Sequence, residues 1–423
     1  MKVVTPKLRY VNNVLYFENV NLKNIAEKIP TPVYVYSKSQ IVENFLKYKN
    51  AFGNRDNIIC FAIKSNSNHE VLKIIKDLKG GADVTSGGEI FRAIKAGIEP
   101  NKIVYAGVGK TVQEIMYAAK IGVLMYNVES KDEVDILNQI AKKLKKKLNI
   151  AIRVNPEVTT HTIKHISTGE EGTKFGIPIG DVLEFAKYIK ETCKDLNLVG
   201  LHFHIGSQIC VLKPFLEATK KVVKLLKPLE KLGFRIKYFD IGGGLGVKYK
   251  EETPPTPQQL IGKILNLLPK ELTIICEPGR SIVGNAGILI CKVLYHKKVK
   301  NKNYLIVDAS MTDLIRPAFY GAYHNIVPLE LNSNNSNKNY YDIVGPVCET
   351  SDFLGKNRLL PDVANGKYLV VETAGAYGFV MSSNYNSRLK PAEVVVNKDE
   401  FYLVREKDKL IDLIRKEVIK RKD

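Results

Sequence analysis

Between about residues 58 and 280, short apolar runs alternate with longer segments whose apolar residues recur at helical spacing. The eight apolar runs are Ile58–Ile63, Ala82–Thr85, Lys102–Ala106, Val123–Asn127, Asn149–Val154, Leu198–Ile205, Tyr238–Ile241 and Leu272–Cys276. Strands that alternate with helices form parallel sheets. Eight such units match the closed (β/α)8 (TIM) barrel of about 250 residues. An open, doubly wound sheet is the alternative that this rhythm leaves.

The pattern changes after Arg280, where strand-like runs are joined by connections rich in Gly, Pro and Asn. These runs are Ile288–His296, Tyr304–Val307, Asp342–Val344, Tyr368–Glu372 and Glu393–Val396. They predict an all-β domain, a β-barrel or sandwich, with few helices. Residues 8–20 also alternate apolar and polar positions and can add a strand to it. We therefore expect an N-terminal strand segment at 1–30 that joins the β domain, a barrel at 31–280 and the β domain at 281–423.

The formal net charge of this 423-residue chain is +20, which at first favours a nucleic-acid partner. Lys supplies 52 of the 64 basic residues and Arg only 12, whereas phosphate and base recognition favours the forked Arg side chain. The densest Lys run, at 142–147, has no interleaved aromatic residues on which bases could stack. A solvated helix face explains it better, so we expect no nucleic-acid partner.

The first residues of the chain and its cysteines indicate the cellular compartment. Residues 1–7 lack the apolar region of a secretory signal, and no apolar run approaches 18 residues. The six cysteines are dispersed and include no Cys-x-x-Cys pair, which argues against a zinc ribbon or a redox motif. These features predict a cytoplasmic protein with free thiols and no membrane contact.

Polar residues follow the predicted barrel strands, at the end where (β/α)8 enzymes carry their active sites. Lys64 follows the first strand and fits equally a surface lysine or a desolvated amine that forms a Schiff base. Gly242–Gly246 follows the seventh strand. Such glycines let backbone N–H groups approach a phosphate, but a tight turn is the better interpretation of this cluster alone. Its spacing is not that of the dinucleotide-binding fingerprint.

His202 and His204 lie two residues apart on the sixth predicted strand and so share one face. A metal-binding pair is one interpretation, but none of the other five histidines follows another barrel strand, and we expect no metal. A His that stacks on a flat cofactor ring fits better, with a core His as the plain alternative for His202. Glu277 and Arg280 form either a surface ion pair or a carboxylate for a pyridine nitrogen beside an anion-binding arginine.

Three segments of the predicted β domain also gather reactive side chains. Gly345–Asp352 carries a thiol and a carboxylate, Ala374–Gly378 carries a phenol, and Asp313–Tyr320 carries a cation and a second phenol. Each segment alone is compatible with ordinary loop chemistry.

Together these segments resemble the fold-type III pyridoxal-phosphate decarboxylases, whose barrel is alanine racemase-like, and most closely the diaminopimelate decarboxylases. The resemblance spans about residues 8–405. Its motifs are FAIKSN (61–66), GADVTSGGE (81–89), AGVGKT (106–111), YNVES (126–130), RVNPEV (153–158), STGEEGTKFGI (167–177), GLHFHIGSQI (200–209), DIGGGLG (240–246), EPGRSIVGNAG (277–287), DLIRPAFYGAYH (313–324), VGPVCETSDFLG (344–355) and AGAYGFVMSSNYNSRLKPAEV (374–394). Their order and spacing make a chance match implausible.

The resemblance implies how the cofactor, pyridoxal 5'-phosphate, is held. Lys64 would bind it covalently, the catalytic His204 would lie on the ring face, and Glu277 would keep the pyridine nitrogen protonated. Further cofactor contacts are implied for Asp83, Ser207, Gly242, Gly243, Gly244, Gly279, Arg280 and Tyr377.

The resemblance also implies a lyase reaction, the decarboxylation of meso-2,6-diaminopimelate to L-lysine and CO2 at the end of lysine biosynthesis. Glu349 would bind the distal ammonium, and Cys348 would protonate the reacting carbon. The residues implied for the distal carboxylate and the substrate around it are Arg280, Arg316, Tyr320 and Tyr377. In the family, Cys348 and Glu349 reach the site from a partner subunit, which implies a homodimer.

The nearest alternative is a decarboxylase of the same fold that acts on ornithine, arginine or carboxynorspermidine. Ornithine-type enzymes usually show Asp where Glu349 stands, which favours diaminopimelate. Alanine racemase would place an arginine against the pyridine nitrogen, and Glu277 argues against it. One departure from the family is Thr162–His165, which stands where Thr-His-Pro-Tyr is common. This departure leaves undecided how that loop closes over the site.

Overall fold

The computed structural model describes residues 2–160, 169, 172–331 and 338–418, so the segment Thr162–His165 lies outside the described residues. The chain divides into two compact units. The barrel unit comprises Val42–Val247 and Glu252–Ile282; the β unit comprises Met1–Ile41, Lys248–Glu251 and Val283–Asp423. Among the described residues, no helix has the length and apolar character that a membrane crossing requires.

The N-terminal segment begins the β unit. Strands β1 (Leu8–Val11), β2 (Val14–Phe17) and β3 (Val20–Asn21) form a small antiparallel sheet. Helix α1 (Leu22–Lys28) begins where the Asn21 side chain accepts a hydrogen bond from the backbone N–H of Lys23. Strand β4 (Val33–Ser37) and helix α2 (Lys38–Phe52) follow.

Eight parallel strands close into a ring in the barrel unit, which confirms the predicted (β/α)8 fold. They are β5 (Asn57–Ala62), β6 (Gly81–Val84), β7 (Ile103–Tyr105), β8 (Met125–Val128), β9 (Leu148–Asn155), β11 (Leu196–His202), β12 (Tyr238–Asp240) and β13 (Thr273–Cys276). The short β10 (Ile177–Pro178) pairs with β9. Pairing of β13 with β5 and of β8 with β9 closes the ring.

Small and medium apolar side chains pack together from several barrel strands, among them Cys60, Val104, Met125, Ala151 and Ile275. The helices of the unit are α3 (His69–Asp77), α4 (Gly87–Lys95), α5 (Val112–Ile121), α6 (Lys131–Leu144), α7 (Val182–Thr192), α8 (Lys213–Val222), α9 (Leu226–Lys231), α10 (Pro257–Leu265) and α11 (Arg280–Val283). Thr111 and Glu114 form a capping box that fixes the start of α5 just after β7.

The β unit is built on the long strand β14 (Gly287–Val299). The other elements are β15 (Lys302–Val307), α12 (Arg316–Tyr320), β16 (Ile326–Pro328), β17 (Lys338–Val344), β18 (Phe353–Pro361), β19 (Tyr368–Val371), β20 (Ala392–Asn397), β21 (Glu400–Arg405) and α13 (Leu410–Ile414). The sheet order is β18-β17-β15-β14-β4-β20-β21, and β19 pairs with β14 and β16.

The N-terminal segment and the C-terminal strands share one hydrophobic core, in which Leu15 and Phe17 pack with Val327 and Val394. Strand β4 hydrogen-bonds β14 and β20 of this unit. The change of unit therefore lies near residue 41, whereas the sequence led us to expect the barrel to begin at residue 31. The apolar run of β4 resembles a barrel strand, and only its pairing shows which sheet it joins.

Candidate active site

Lys64 lies in a 3₁₀ turn directly after β5, where it faces the neighbouring strand β6. Its Nζ is 2.5 Å from Oδ2 of Asp83, and the Asp83 side chain is fully buried. Burial and the charge of Glu277 raise the pKa of Asp83 to about 7, against the opposing effect of Lys64. The other oxygen, Oδ1, has no hydrogen-bond partner among the described residues. A half-buried amine paired with a buried carboxylate thus lies at the strand-end rim of the barrel.

Glu277 follows β13 and is buried in the same rim. Its Oε2 lies 3.3 Å from Nε2 of His202, and its Oε1 accepts a hydrogen bond of 3.4 Å from Nδ2 of Asn127. Burial alone would raise the pKa of Glu277, but His202, Lys64 and His204 together outweigh burial and hold this pKa below the usual range of a carboxyl. An ionised carboxylate is therefore fixed at the end of the last barrel strand.

Asp240 ends β12 and completes a buried group with His202 and Glu277. One ligand-type atom from each of the three lies within 4.8 Å of the others, so their geometry could hold a metal ion. Our expectation of no metal stays a prediction. The other half of the His-x-His pair, His204, is not in this group.

The His204 ring is oriented by the glycine loop. Its Nδ1 accepts a hydrogen bond of 3.1 Å from the backbone N–H of Gly243, so a neutral ring carries its proton on Nε2. Burial, with the positive charges of Lys64 and Arg153, holds the pKa of His204 well below its ordinary value. The structure therefore presents a neutral imidazole beside Lys64.

The glycines at 242–244 pack against backbone at neighbouring strand ends. A Cβ at Gly243 would overlap the carbonyl oxygen of Glu277, and Gly242 has a φ of +62°, which favours glycine. The backbone N–H of Gly242 donates to Oδ1 of Asp240. Packing against neighbouring backbone is thus enough to require these glycines, which agrees with the interpretation of the cluster as a tight turn. The same packing brings the backbone of the glycines to the rim.

Arg280, at the start of α11, reaches Ser207 beyond β11. Its Nε and Nη2 donate to the Ser207 hydroxyl over 3.2 and 3.0 Å. Gly279 is tightly packed, because a Cβ there would lie 2.9 Å from Oγ of Ser65. The predicted anion-binding residues therefore meet within the barrel unit.

In the β unit, Arg316 is buried and already partnered. Its Nη1 donates to Nε2 of His324 over 2.8 Å, and Nδ1 of His324 donates to the backbone oxygen of Glu372. The guanidinium also lies over the Tyr249 ring, 4.7 Å from its centroid. These contacts orient Arg316. Tyr320, four residues later, packs edge-on against Phe319.

Cys348 and Glu349 lie side by side on the exposed loop after β17. The Cys348 backbone N–H donates to Oδ1 of Asn386, and Oε1 of Glu349 accepts a 2.7 Å hydrogen bond from the Tyr385 hydroxyl. One turn therefore holds both residues. Tyr377, which is half-buried, lies in the same unit with a φ of +56°.

Within the barrel unit, the structure brings the predicted site residues to one rim. The rim residues are Lys64, Asp83, His204, Ser207, Gly242, Gly243, Gly244, Glu277, Gly279 and Arg280. Sequence reasoning missed the partners of this rim, Asp240 and Asn127, and missed Tyr385 beside Glu349. Asp240 stands in the quoted motif DIGGGLG and Tyr385 in the motif AGAYGFVMSSNYNSRLKPAEV, so position in a motif was the available signal.

A second missed contact is the buried ion pair of Arg153 and Glu129, whose charged atoms lie 3.1 Å apart. Arg153 lies two residues before the end of β9 and over the Phe175 ring, while Glu129 also accepts the backbone N–H of Gly176. This pair anchors the described end of the segment that follows β9.

A family described as pyridoxal-dependent decarboxylase, pyridoxal binding domain, matches residues 38–284. The diaminopimelate decarboxylase of Aquifex aeolicus is 48% identical over 410 residues, 96% of each chain. That of Haemophilus influenzae is 45% identical over 407 residues, 96% of this chain and 97% of the relative.

Solved structures agree. The diaminopimelate decarboxylase of Helicobacter pylori complexed with L-lysine has a TM-score of 0.90 and 43% identity, covering 93% of this chain and 98% of that one. The enzyme of M. jannaschii in co-complex with L-lysine has a TM-score of 0.93 and 34% identity, covering 98% of both chains. Since a family matches more than half of the chain and such relatives match nearly all of it, the chain belongs to the pyridoxal-dependent decarboxylases and, among them, to the diaminopimelate decarboxylases.

Proposed function

We propose that this chain decarboxylates meso-2,6-diaminopimelate to L-lysine and CO2, with pyridoxal phosphate bound at the strand-end rim of the barrel. The observation that carries the proposal is the Lys64–Asp83 pair together with an ionised Glu277 on that rim, in a chain similar throughout to diaminopimelate decarboxylases. This cofactor needs two groups above all. One is an amine that can bond to its aldehyde, and the other is a fixed carboxylate.

The rim fits the cofactor by its own chemistry. Buried polar atoms without a described partner, Oδ1 of Asp83 and Oδ1 of Asn127, lie on side chains around Lys64 and Glu277. Such atoms are costly unless a bound group satisfies them. When bound, pyridoxal phosphate supplies the electron sink for the carbanion that remains after CO2 leaves.

Lys64 is the residue that would hold the cofactor covalently, and Asp83 places its amine. Nζ of Lys64 stays 2.5 Å from the Asp83 carboxyl, whose raised pKa of about 7 lets that carboxyl keep or release a proton near neutral pH. Asp83 therefore orients the amine and offers a proton acceptor beside it.

Glu277 and His204 define the plane and polarity of the cofactor site. The carboxylate of Glu277 would hold a proton on the pyridine nitrogen, because its charge is fixed by His202 and Asn127. The neutral ring of His204, oriented by Gly243, would pack against the ring face without adding a positive charge.

We assign the phosphate end to the glycine loop and its neighbours. Backbone N–H groups in glycine turns and a serine hydroxyl are typical phosphate donors. The assigned residues are Ser207, Gly242, Gly243, Gly244, Gly279, Arg280 and Tyr377. The contact of Arg280 with Ser207 supports a shared anion site.

The far end of the substrate carries one carboxylate and one ammonium. We assign the carboxylate to forked arginines, which bind it bidentately, and the ammonium to Glu349. The residues assigned to the carboxylate and its surroundings are Arg280, Arg316, Tyr320 and Tyr377. Cys348 would then deliver the proton to the reacting carbon. Binding of the distal carboxylate and ammonium would orient the C–CO2 bond that breaks at the other end of the substrate.

The exposure of Cys348 and Glu349 supports the proposal that they serve the site of a partner subunit in a homodimer. Mixing two inactive variants tests it. Lys64→Ala and Cys348→Ala, co-expressed with different tags, would share one intact site in each mixed dimer. Random assortment then restores about a quarter of wild-type activity. No recovery in purified mixed dimers would contradict shared sites.

Release of CO2 from meso-diaminopimelate, compared with ornithine and arginine, tests the reaction. We expect turnover of diaminopimelate and an absorbance band near about 420 nm that needs Lys64. Wild-type protein that shows no band after reconstitution with pyridoxal phosphate would overturn the assignment. The six free cysteines support a cytoplasmic setting, which fractionation would test.

A further inference from the structure

Three buried side chains occupy the ends of three adjacent barrel strands, and the reaction above uses only one of them. His202 ends β11, Asp240 ends β12, and Glu277 follows β13; their relative exposures are 1%, 0% and 3%. His202 stands opposite Asp240 in the strand register. Their polar atoms gather within 4.8 Å. Burying three ionisable side chains so close together costs free energy unless charge and protons are divided among them so that like charges do not face each other.

The hydrogen bonds indicate which carboxyl carries the charge. Both oxygens of Glu277 face nitrogen atoms, Nε2 of His202 at 3.3 Å and Nδ2 of Asn127 at 3.4 Å. Asp240 receives one backbone N–H, that of Gly242, on Oδ1, and no N–H of the described residues donates to its Oδ2; its side-chain interaction with the Glu277 carboxyl raises the pKa of Asp240. Donors stabilise a carboxylate, so Glu277 is the better place for the negative charge.

Two buried carboxyls this close do not both ionise, because their repulsion in a low dielectric is too strong. Burial and the charge of Glu277 raise the pKa of Asp240 well above its ordinary range. The pKa of Glu277 shifts in the opposite direction, because His202 lowers it against the effect of burial. Geometry and electrostatics agree on the same distribution.

We propose that His202 and Asp240 are positioning residues: His202 fixes Glu277 as an ionised, oriented carboxylate, while Asp240 keeps its own proton and adds no second charge. The first histidine of the His-x-His pair thus acts through Glu277, whereas His204 faces the cofactor. This inference rests on the proposed function, because it assumes that Glu277 meets the pyridine nitrogen.

Two amide variants of one position test the role of His202. Nε2 of Gln lies about as far from the backbone as Nε2 of His, whereas the amide of Asn is one carbon shorter. We expect His202→Gln to keep the visible band and the pyridoxal phosphate affinity within about threefold of wild type. His202→Asn should weaken cofactor affinity by about tenfold to a hundredfold, the usual cost of losing an orienting partner, and shift the band toward the near ultraviolet.

The readouts are the absorbance spectrum and the dissociation constant of pyridoxal phosphate, measured by equilibrium dialysis on protein with a wild-type circular dichroism spectrum. An unchanged spectrum and affinity in His202→Asn would overturn the role. So would a His202→Gln protein that is as impaired as His202→Asn, since only the packing of the ring would then matter.

Asp240→Asn tests where the proton lies. The amide oxygen can still accept from Gly242, and a neutral amide replaces what the proposal describes as a neutral acid. We expect the visible band to persist at the wild-type position. Loss of the band in Asp240→Asn, with a preserved fold, would show that Asp240 carries the charge and would overturn the distribution.

Glu277→Gln separates this inference from the proposed function. If Glu277 does meet the pyridine nitrogen, Glu277→Gln shifts the band at least as far as His202→Asn does. A wild-type spectrum in Glu277→Gln would refute the cofactor contact itself. A shifted spectrum in Glu277→Gln with an unshifted one in His202→Asn would refute only the role of His202.

Discussion

The two units treat their functional side chains in opposite ways. In the barrel unit, Asp83, Asp240 and Glu277 are buried, and the protonation of each is set by its neighbours. In the β unit, Cys348 and Glu349 are exposed and are held by one turn, through Tyr385 and Asn386. In a low dielectric, neighbouring charges act strongly on a buried group, whereas water screens the charges around an exposed one.

This difference separates two tasks. The barrel rim of one chain contains the groups that would bind and polarise a cofactor, and these are already connected to each other. The exposed loop carries a thiol and a carboxylate without such enclosure, as expected of groups that complete a site on a partner subunit. Variants of the rim should therefore change the cofactor spectrum, and variants of the loop should change turnover alone.

The largest expected effect comes from Lys64→Ala. Loss of the amine removes covalent attachment, so the visible absorbance band disappears and decarboxylation falls to background. Lys213→Ala, on an exposed lysine with a side-chain exposure of 81%, is the matched control and should match wild type in both measurements. A Lys64→Ala protein that retains the band would break the assignment of the rim.

Cys348→Ala should slow turnover by about 10² to 10⁴, the range for loss of a general acid, and leave the cofactor band in place. The reason is that the Cys348 thiol is exposed and belongs to the β unit, whereas the proposed cofactor groups belong to the barrel unit. Steady-state kinetics and the absorbance spectrum of the same sample measure both effects. Thr350→Ala, on the same exposed loop, serves as the control. A vanished band in Cys348→Ala would show that the two regions are not independent.

Glu349→Gln should reduce kcat/KM for diaminopimelate by about tenfold to a hundredfold, because a hydrogen bond to a charged group is worth about 1.5–3 kcal/mol. Most of the change should appear in KM, since the distal ammonium is bound in both ground and transition states. Full activity in Glu349→Gln would refute the assigned contact.

Tyr385→Phe should have a smaller effect, a rise in KM of about two- to tenfold. The variant removes the 2.7 Å hydrogen bond that orients Glu349 but leaves the carboxylate itself, so only part of the about 1.5–3 kcal/mol of a hydrogen bond to a charged group is lost from substrate binding. Tyr340→Phe, on another exposed tyrosine, is the control. If Tyr385→Phe and Glu349→Gln together cost as much as the sum of both, Tyr385 does not act through Glu349.

The last expected effect is one of pH on the stability of the cofactor-free protein. Folded Asp83 binds its proton with a pKa of about 7, above its ordinary 3.8, so folding takes up a proton and wild-type stability falls as pH rises from about 4 to about 7. Asp83→Asn cannot ionise and lacks this loss. The difference in Tm between Asp83→Asn and wild type should therefore grow in favour of the variant over that range. A constant difference would show that Asp83 titrates at its ordinary pKa.

Much of the fold followed from local pattern. All eight predicted barrel runs overlap strands of the ring, because a buried parallel strand is an apolar run with a clear start and end. The predicted barrel bounds of 31–280 also took in β4, which pairs with β14 and β20 of the β unit. Pairing depends on residues more than 200 positions away, and no local period encodes it.

Less of the candidate site than of the fold could be predicted from the sequence. Lys64, His204 and Glu277 could be chosen because they follow strands and stand in family motifs, but their surroundings could not be chosen that way. Asp240 and Asn127 became functional candidates only when the ring placed β8, β12 and β13 around one centre.

By itself the sequence determined the alternation of strands and helices, the polar residues at the strand ends and the family to which they belong. Only the tertiary structure decided which carboxyl holds a proton and which holds a charge. The physical reason is that periodicity is a property of neighbouring residues, whereas a pKa is set by burial and by charges from distant strands. His202 shows both: the chain places it two residues before His204, and the fold turns it toward Glu277.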